Sequence, residues 1–462
     1  MFCRLFGWGA APVYEDPYVG FKGVNPLFRL NEAGTHYEVA KAKLKFFSPE
    51  SFPAKKISGT HRVFCLGGST VKGRPYAKET AFSTWLELGL QAAEPESRWE
   101  VINCGGISYA SYRLVNLLRE CISYQPDLIV ICTGHNEFLE DRSYEHLKQI
   151  PNALAVTQTY ASRLNVYRLA SRWFRKPPPP DSEEKFNMPE EVEALLDYRG
   201  GLETYDRNEA WRESVVAHFE HNLHAMIALA SHQDVPVIVI RPPNNLRNSP
   251  PFKSLHREDL SLDERLEWQT FINRARDAYE SNLDASVSNL LAAINIDSRY
   301  AETHYELGKC YELQGQRIAA KRSFERALDE DICPLRMVRP LQEAMRLVAN
   351  QHEIPLIDAH ALLEADSRLQ ILGNDQLVDH IHPSIDGHKR IADAIIKVMV
   401  ASGTLKRRTG WKERQTENFK AHFDTLEPAY FAAARRALHG LEEWAAGRAQ
   451  GPPVETLASP VK

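Results

Sequence analysis

At 462 residues, with 43% hydrophobic and 25% charged residues, the chain has the composition of a globular protein of two to four domains and can bury a substantial core. Its net charge of -5 excludes the strongly basic footprint of a nucleic-acid binder. Its seven cysteines follow neither a disulfide framework nor a metal-ligand spacing and read as buried thiols.

Residues 1–57 carry Pro12, Pro17, Pro26 and Pro53 among scattered aromatics with no sustained period, which predicts an extended arm with a few short strands. The first 21 residues are apolar but too short and too weakly charged for a signal peptide, and no window of about 18 apolar residues predicts a spanning helix. As it stands the chain reads as cytoplasmic. An anchor encoded upstream of Met1 would make it extracytoplasmic and membrane-attached.

From His61 strands and helices alternate. The stretch HRVFCLGGSTVKG predicts a strand, a two-glycine turn at Gly67 and Gly68, and a helix opening at Ser69 and continuing through Phe82 to Leu90. Further strands are predicted in WEVINCGG, DLIVICTG, VPVIVIRPP (235–243) and IPLIDA (354–359), with helices at about 110–123, 208–231, 341–351 and 387–401. Near-continuous apolar strands with helices between them predict a parallel sheet covered on both faces, a three-layer α/β/α domain of flavodoxin-like strand order.

About 95 residues separate the third strand from the fourth. They hold a helical stretch near 155–174, the run PPPP at 177–180 and the segment Tyr198 to Tyr205, read as a rim over the site; 139–207 is taken as a lid-like insertion. In 301–328, Leu307, Gly308, Tyr311, Gly315, Ala320, Phe324, Ala327 and Leu328 fall at tetratricopeptide spacing, with a weaker copy 34 residues earlier at Leu290, Ala293 and Ile294. Residues 263–334 are therefore read as a tetratricopeptide-like helical insertion that packs on the sheet domain or a partner. Residues 404–462 form a helical tail, with helices at 418–439 and 441–449 after a solvated basic linker, Lys406 to Arg414.

Chemistry-bearing residues gather where the strands end, as ligands do in open parallel sheets. The Ser69 hydroxyl is lifted above the first strand beside the amides of a helix N-terminus. Asn136 follows the third strand in TGHNEF, with Gly134 leaving room before it. Asp379 and His382, three apart in VDHIHPS, let a carboxylate hold one ring nitrogen while the other faces Ser69. Asn244, Asn245 and Arg247, past the fourth strand, stand where substrate contacts are expected. The cluster Asp379, His380, His382, Asp386 and His388 fits no common metal site, so no metal or cofactor is expected, and His380 and His388 read as surface or supporting groups.

These blocks, in this order, resemble the SGNH (GDSL-type) hydrolase family over about residues 58–262 and 335–403. The resemblance implies a serine esterase with Ser69 as nucleophile, His382 as base, Asp379 as orienter, and an oxyanion hole from Asn136 and the amides of Ser69 and Ser108, with Gly105 or Gly106 as alternative donors. Gly68 stands where the family usually has aspartate, Ser108 falls on its usual glycine, and Glu137 replaces its usual aspartate. The implied substrate is a small ester or an acylated glycan, such as an O-acetyl carbohydrate. The alternatives are a polysaccharide O-acyltransferase with the same triad, or an inert scaffold binding a protein or peptide through the repeats. The combination with repeats is similar to a bacterial subgroup in which a membrane anchor often precedes the catalytic domain.

Overall fold

The computed structural model describes residues 16–144, 186–197 and 201–450, those from 440 by backbone alone. The predicted helix near 155–174, the proline run, residues 198–200 of the rim and the tail beyond 450 lie outside the described residues.

Five parallel strands form the central sheet: β5 (Thr60–Gly67), β6 (Arg98–Gly105), β7 (Leu128–Cys132), β9 (Val237–Arg241) and β10 (Leu356–Asp358). Their spatial order is β10-β9-β7-β5-β6, the 2-1-3-4-5 arrangement of a flavodoxin-like sheet. Alternation along each strand builds the layers. Phe64, Leu66, Ile129, Ile131, Val237 and Val239 point to one face, against α3 (Ser111–Ile122), α4 (Glu209–His232) and α9 (Arg339–Gln351). Val63, Cys65, Val130, Ile238 and Ile240 point to the other, against α2 (Phe82–Ala93) and α11 (Ile385–Ala401). Each such apolar side chain stabilises the fold by about 1.5–3 kcal/mol. The six cysteines among the described residues are buried.

The first predicted helix is broken in two. A single turn, α1 (Ser69–Lys72), ends at Gly73, whose φ of 95° only glycine adopts readily. Pro75 then prevents resumption, and α2 begins anew at Phe82.

In the arm, β1 (Val19–Phe21) pairs in parallel with β8 (Phe186–Met188), while β2 (Phe28–Leu30), β3 (His36–Val39) and β4 (Ser51–Pro53) form an antiparallel sheet. Phe28 and Phe52 pack on Phe64 and Tyr124, which seats the arm on the core. In the predicted rim, Tyr205 is buried among Leu139, Phe252 and Cys333, with its hydroxyl donating to the Phe138 carbonyl (3.0 Å), so this end of the insertion is core rather than rim.

Four helices stand between β9 and α9: α5 (Leu262–Ala278), α6 (Leu283–Ile296), α7 (Ala301–Leu313) and α8 (Arg317–Glu330). Consecutive helices pack pairwise, and a Cβ on Gly308 would lie 2.6 Å from the Phe324 ring, so the crossing of α7 and α8 needs glycine. Ala320, Phe324 and Leu328 bury against Leu246 and Ile371, which docks the helices on the sheet domain. After α10 (Ala359–Glu364), the chain returns through the His382 turn to α11.

The predicted basic linker is a docked strap. Arg408 N and Arg414 Nε donate to the Ala93 and Ala92 carbonyls, which the end of α2 leaves without helical partners, and Lys412 pairs with Asp393 (3.1 Å). The tail helices are α12 (Trp411–Asp424) and α13 (Pro428–Gln450). The break falls at Pro428, a residue suited to opening a helix and not to continuing one, rather than near 440 as predicted.

Candidate active site

The β5 strand delivers Ser69 to the carboxyl edge of the sheet, and α1 holds it there. Asn103, in β6, anchors the turn: its amide donates to the Val71 carbonyl (2.7 Å) and to Ser83 Oγ (2.8 Å), and its oxygen accepts from Gly105 N (2.9 Å). Behind it, a Cβ on Gly105 would lie 2.1 Å from Lys72 N, so α1 and β6 touch backbone to backbone. Sequence reasoning missed Asn103, although a polar side chain inside an apolar strand is a visible signal.

His382 comes from the far end of the chain, 313 residues away, yet its Nε2 stands 2.8 Å from Ser69 Oγ. Its Nδ1 lies 2.6 Å from Asp379 Oδ2. The other carboxylate oxygen accepts from the amides of Ile381 (2.9 Å) and His382 (2.8 Å), closing the turn that presents the ring. Burial opposes the Asp379 charge, but the His382 and His380 rings and these bonds outweigh it and hold the carboxyl well below the usual range. Ser69 and His382 are almost wholly buried.

Asn136 faces Ser69 from the β7 side. Its Nδ2 donates to the Tyr109 carbonyl (3.0 Å) and lies 2.6 Å from where a Cβ on Gly68 would stand. The preceding Gly134 has φ 126°, and Met337 sulfur fills the space a side chain there would need. Glu137 is fully buried and caps α3, accepting from Ser111 N (2.9 Å) and Ser111 Oγ (2.8 Å). Burial raises its pKa.

Among the predicted oxyanion donors, the Ser69 amide opens α1, where a helix leaves its amides without internal partners. Ser108 has φ 62°, the left-handed conformation that favours glycine. The alternatives Gly105 and Gly106 are engaged elsewhere: Gly105 N donates to Asn103, and Gly106 N to the Gly67 carbonyl (2.9 Å).

Asn244, Asn245 and Arg247, read as substrate contacts, are buried and spent on other bonds. Asn244 exchanges two bonds with the Met337 backbone (2.8 and 3.0 Å). Asn245 donates to the Asp379 carbonyl (2.8 Å) and to Asn374 (2.6 Å), and Arg247 pairs with Asp375 (2.5 Å). Short polar side chains after a strand look alike in sequence whether they meet a ligand or another loop.

The neighbouring imidazoles are held neutral. Burial lowers His135 to about 3, His380 to about 4 and His388 to about 3. His380 packs edge-on against Phe252, and His388, read as a surface or supporting group, is fully buried beneath Phe82. No cluster of three or more metal-ligating side chains occurs among the described residues. A crevice of about 10 Å³ lies between Ser69, Thr70, Tyr109, Thr133, Gly134 and Asn136, room for one water-sized group.

No protein-family model matches the chain, and no curated protein does. Solved structures similar to it include a lipase/acylhydrolase from Enterococcus faecalis, with 14% identity, 76% of this chain and 99% of that chain covered, and a TM-score of 0.35. An alpha/beta hydrolase enzyme from the metagenome of Lake Arreo, Spain, shares 15% identity over 74% of this chain and 95% of that chain, with a TM-score of 0.33. A GDSL-like lipase from Bacteroides thetaiotaomicron shares 11% identity over 76% and 93%, with a TM-score of 0.29. No helix among the described residues is long and apolar enough to cross a membrane.

Proposed function

We propose that the chain is a serine esterase of the SGNH type, cleaving a carboxylic ester through a seryl-acyl intermediate. The observation that carries the reading is the hydrogen-bonded line from Ser69 Oγ through His382 to Asp379. On attack, His382 Nε2 takes the Ser69 proton as Oγ bonds to the ester carbonyl carbon. The same proton passes to the alkoxide as it leaves. Water, deprotonated by His382, then releases the acid and regenerates Ser69. Asp379 keeps Nδ1 protonated and stabilises the transient imidazolium.

Asn136 Nδ2 and the amides of Ser69 and Ser108 receive the tetrahedral oxyanion. The left-handed backbone of Ser108 supports this assignment, because it preserves the turn for which the resembling family uses glycine. The small crevice beside Ser69 favours a short acyl group such as acetyl. The four helices α5 to α8 remain a tetratricopeptide-like insertion in this reading, docked on the catalytic domain through Phe324.

The test is hydrolysis of 4-nitrophenyl acetate and covalent labelling by a fluorophosphonate. Ser69→Ala is expected to abolish both, and His382→Ala to abolish turnover, with folding retained in each. Turnover close to wild type in both variants would falsify the assignment.

A further inference from the structure

We propose that Tyr430, in the C-terminal tail, is a positioning residue for the nucleophile: its hydroxyl holds the loop 74–81 against the helical turn that carries Ser69, and its loss slows the chemical step without weakening substrate binding. The proposal rests on the esterase reading of Ser69 and goes beyond it in giving the tail a part in the reaction.

The turn that carries Ser69 needs outside support. With four residues, α1 is far shorter than a helix that is stable by itself in water. Asn103 ties it to β6 on one side. On the other side the amides of Gly73 and Arg74 donate to the Ser69 carbonyl, each at 3.1 Å. The loop that follows folds back onto this closure. A Cβ on Gly73 would lie 2.8 Å from the Ala77 carbonyl oxygen and 2.8 Å from the Ala81 Cβ, so both alanines pack directly on the glycine.

The loop pairs only part of its own backbone, Thr80 N donating to the Ala77 carbonyl (3.2 Å) and Ala81 N to the Lys78 carbonyl (3.0 Å). Two further groups are met by the tail. Ala77 N donates to the Tyr430 hydroxyl (3.2 Å), and the Glu79 carbonyl accepts from His422 Nε2 (2.8 Å). The Tyr430 hydroxyl also bonds to the hydroxyl of the fully buried Thr80 (2.7 Å), which stands 350 residues earlier in the chain. One phenol therefore grips both ends of the short turn 78–80, and Ala77, which it holds, is the residue that rests on Gly73. From Tyr430 to Ser69 the path is three direct contacts long. Removing the hydroxyl takes a partner from an amide and from a buried hydroxyl at once, and polar groups left unpaired inside a fold are costly. The rest of the tail is anchored away from this loop, as at the buried Gln415, whose amide donates to Asp393 in α11 (2.8 Å).

The experiment measures kcat, KM and the rate of fluorophosphonate labelling for 4-nitrophenyl acetate hydrolysis by full-length wild type, Tyr430→Phe and Gln415→Ala, each well below its melting temperature. Tyr430→Phe is expected to lower kcat and the labelling rate about tenfold with KM unchanged within twofold, because a displaced hydroxyl slows attack and not binding. Gln415→Ala loosens the tail without touching the loop and is expected to keep kcat within twofold. A kcat within twofold of wild type in Tyr430→Phe overturns the proposal, and so does a loss in Gln415→Ala as large as that in Tyr430→Phe. Hydrogen exchange of residues 69–81 needs no turnover: exchange about tenfold faster in Tyr430→Phe and unchanged in Gln415→Ala supports the clamp, and equal protection in Tyr430→Phe and wild type rejects it. Faster exchange in Tyr430→Phe, when wild type itself neither hydrolyses the ester nor takes the label, would retain the clamp and reject the esterase reading instead.

Discussion

The carboxamide of Asn136 occupies the space a side chain on Gly68 would need, 2.6 Å from the Cβ position. The backbone of Gly68 is ordinary (φ -86°), so glycine is required by the neighbour and not by the turn. Gly68→Ala is therefore expected to displace the Asn136 amide. Loss of one oxyanion donor lowers turnover about 10²- to 10³-fold. Asn136→Ala should fall by a similar factor, and the double variant little further, because both remove the same donor. Turnover of 4-nitrophenyl acetate and melting temperature, measured together, separate this from unfolding; an active Gly68→Ala enzyme would show that Asn136 is not the donor.

A second prediction concerns Asn245. Its side chain ties β9 to the Asp379 turn and accepts from Asn248 N (2.9 Å), linking the sheet to the loop beside the docked helices. Asn245→Ala leaves buried partners unmade, at about 1–3 kcal/mol. Because the Asp379 carbonyl loses its anchor, the His382 ring loses orientation, and kcat is expected to fall at least tenfold while fluorophosphonate labelling slows in parallel. Loss of stability with normal kcat would confine Asn245 to a structural role.

How far the site was legible follows from distance along the chain. The five apolar strands and their order announce themselves, because each strand must be apolar on both faces wherever it lies. Ser69 and Asn136 stand out because each follows a strand in a short motif, and Asp379 and His382 because they stand three apart in VDHIHPS just before a helix. Asn103 does not, and Asn245 stands out only as a substrate contact, since the partners of both come from packing. The bond from Asn103 to Val71 spans 32 residues, and that from Asn245 to Asp379 spans 134. Gly73 and Pro75 were visible as letters, but the apolar period continuing to Leu90 outweighed them in the predicted helix. Tyr205 was read as rim for the same reason: its aromatic ring fits either a lid or a core.

The buried imidazoles predict acid sensitivity. His388 is fully buried, and its Nδ1 accepts the Phe82 amide (3.2 Å), which only the neutral ring can do. Its pKa falls from 6.5 to about 3 on folding. A depressed histidine pKa means the unfolded chain binds the extra proton first, so stability is complete above about pH 6.5 and declines as pH falls from there toward 3. Each such group contributes a slope of about 1.4 kcal/mol per pH unit in that window. Denaturant titrations at pH 7 and pH 5 should show the decline, and His388→Gln should flatten it by about one proton. An identical slope in that variant would mean that the ring is protonated in the folded protein.

The last prediction uses the backbone of Ser108. At φ 62° a residue with a Cβ is strained by about 1 kcal/mol relative to glycine, so Ser108→Gly should raise stability slightly if relief of strain exceeds the added freedom of the unfolded chain. The donor assigned to Ser108 is its amide, which glycine keeps, so turnover should stay within about threefold. Ser108→Pro removes the N–H and cannot adopt the positive φ, and it should lose both stability and at least 10²-fold in kcat. The glycine variant discriminates the two roles of this residue. If Ser108→Gly loses as much turnover as Asn136→Ala while remaining folded, the hydroxyl of Ser108 and not its amide serves the reaction.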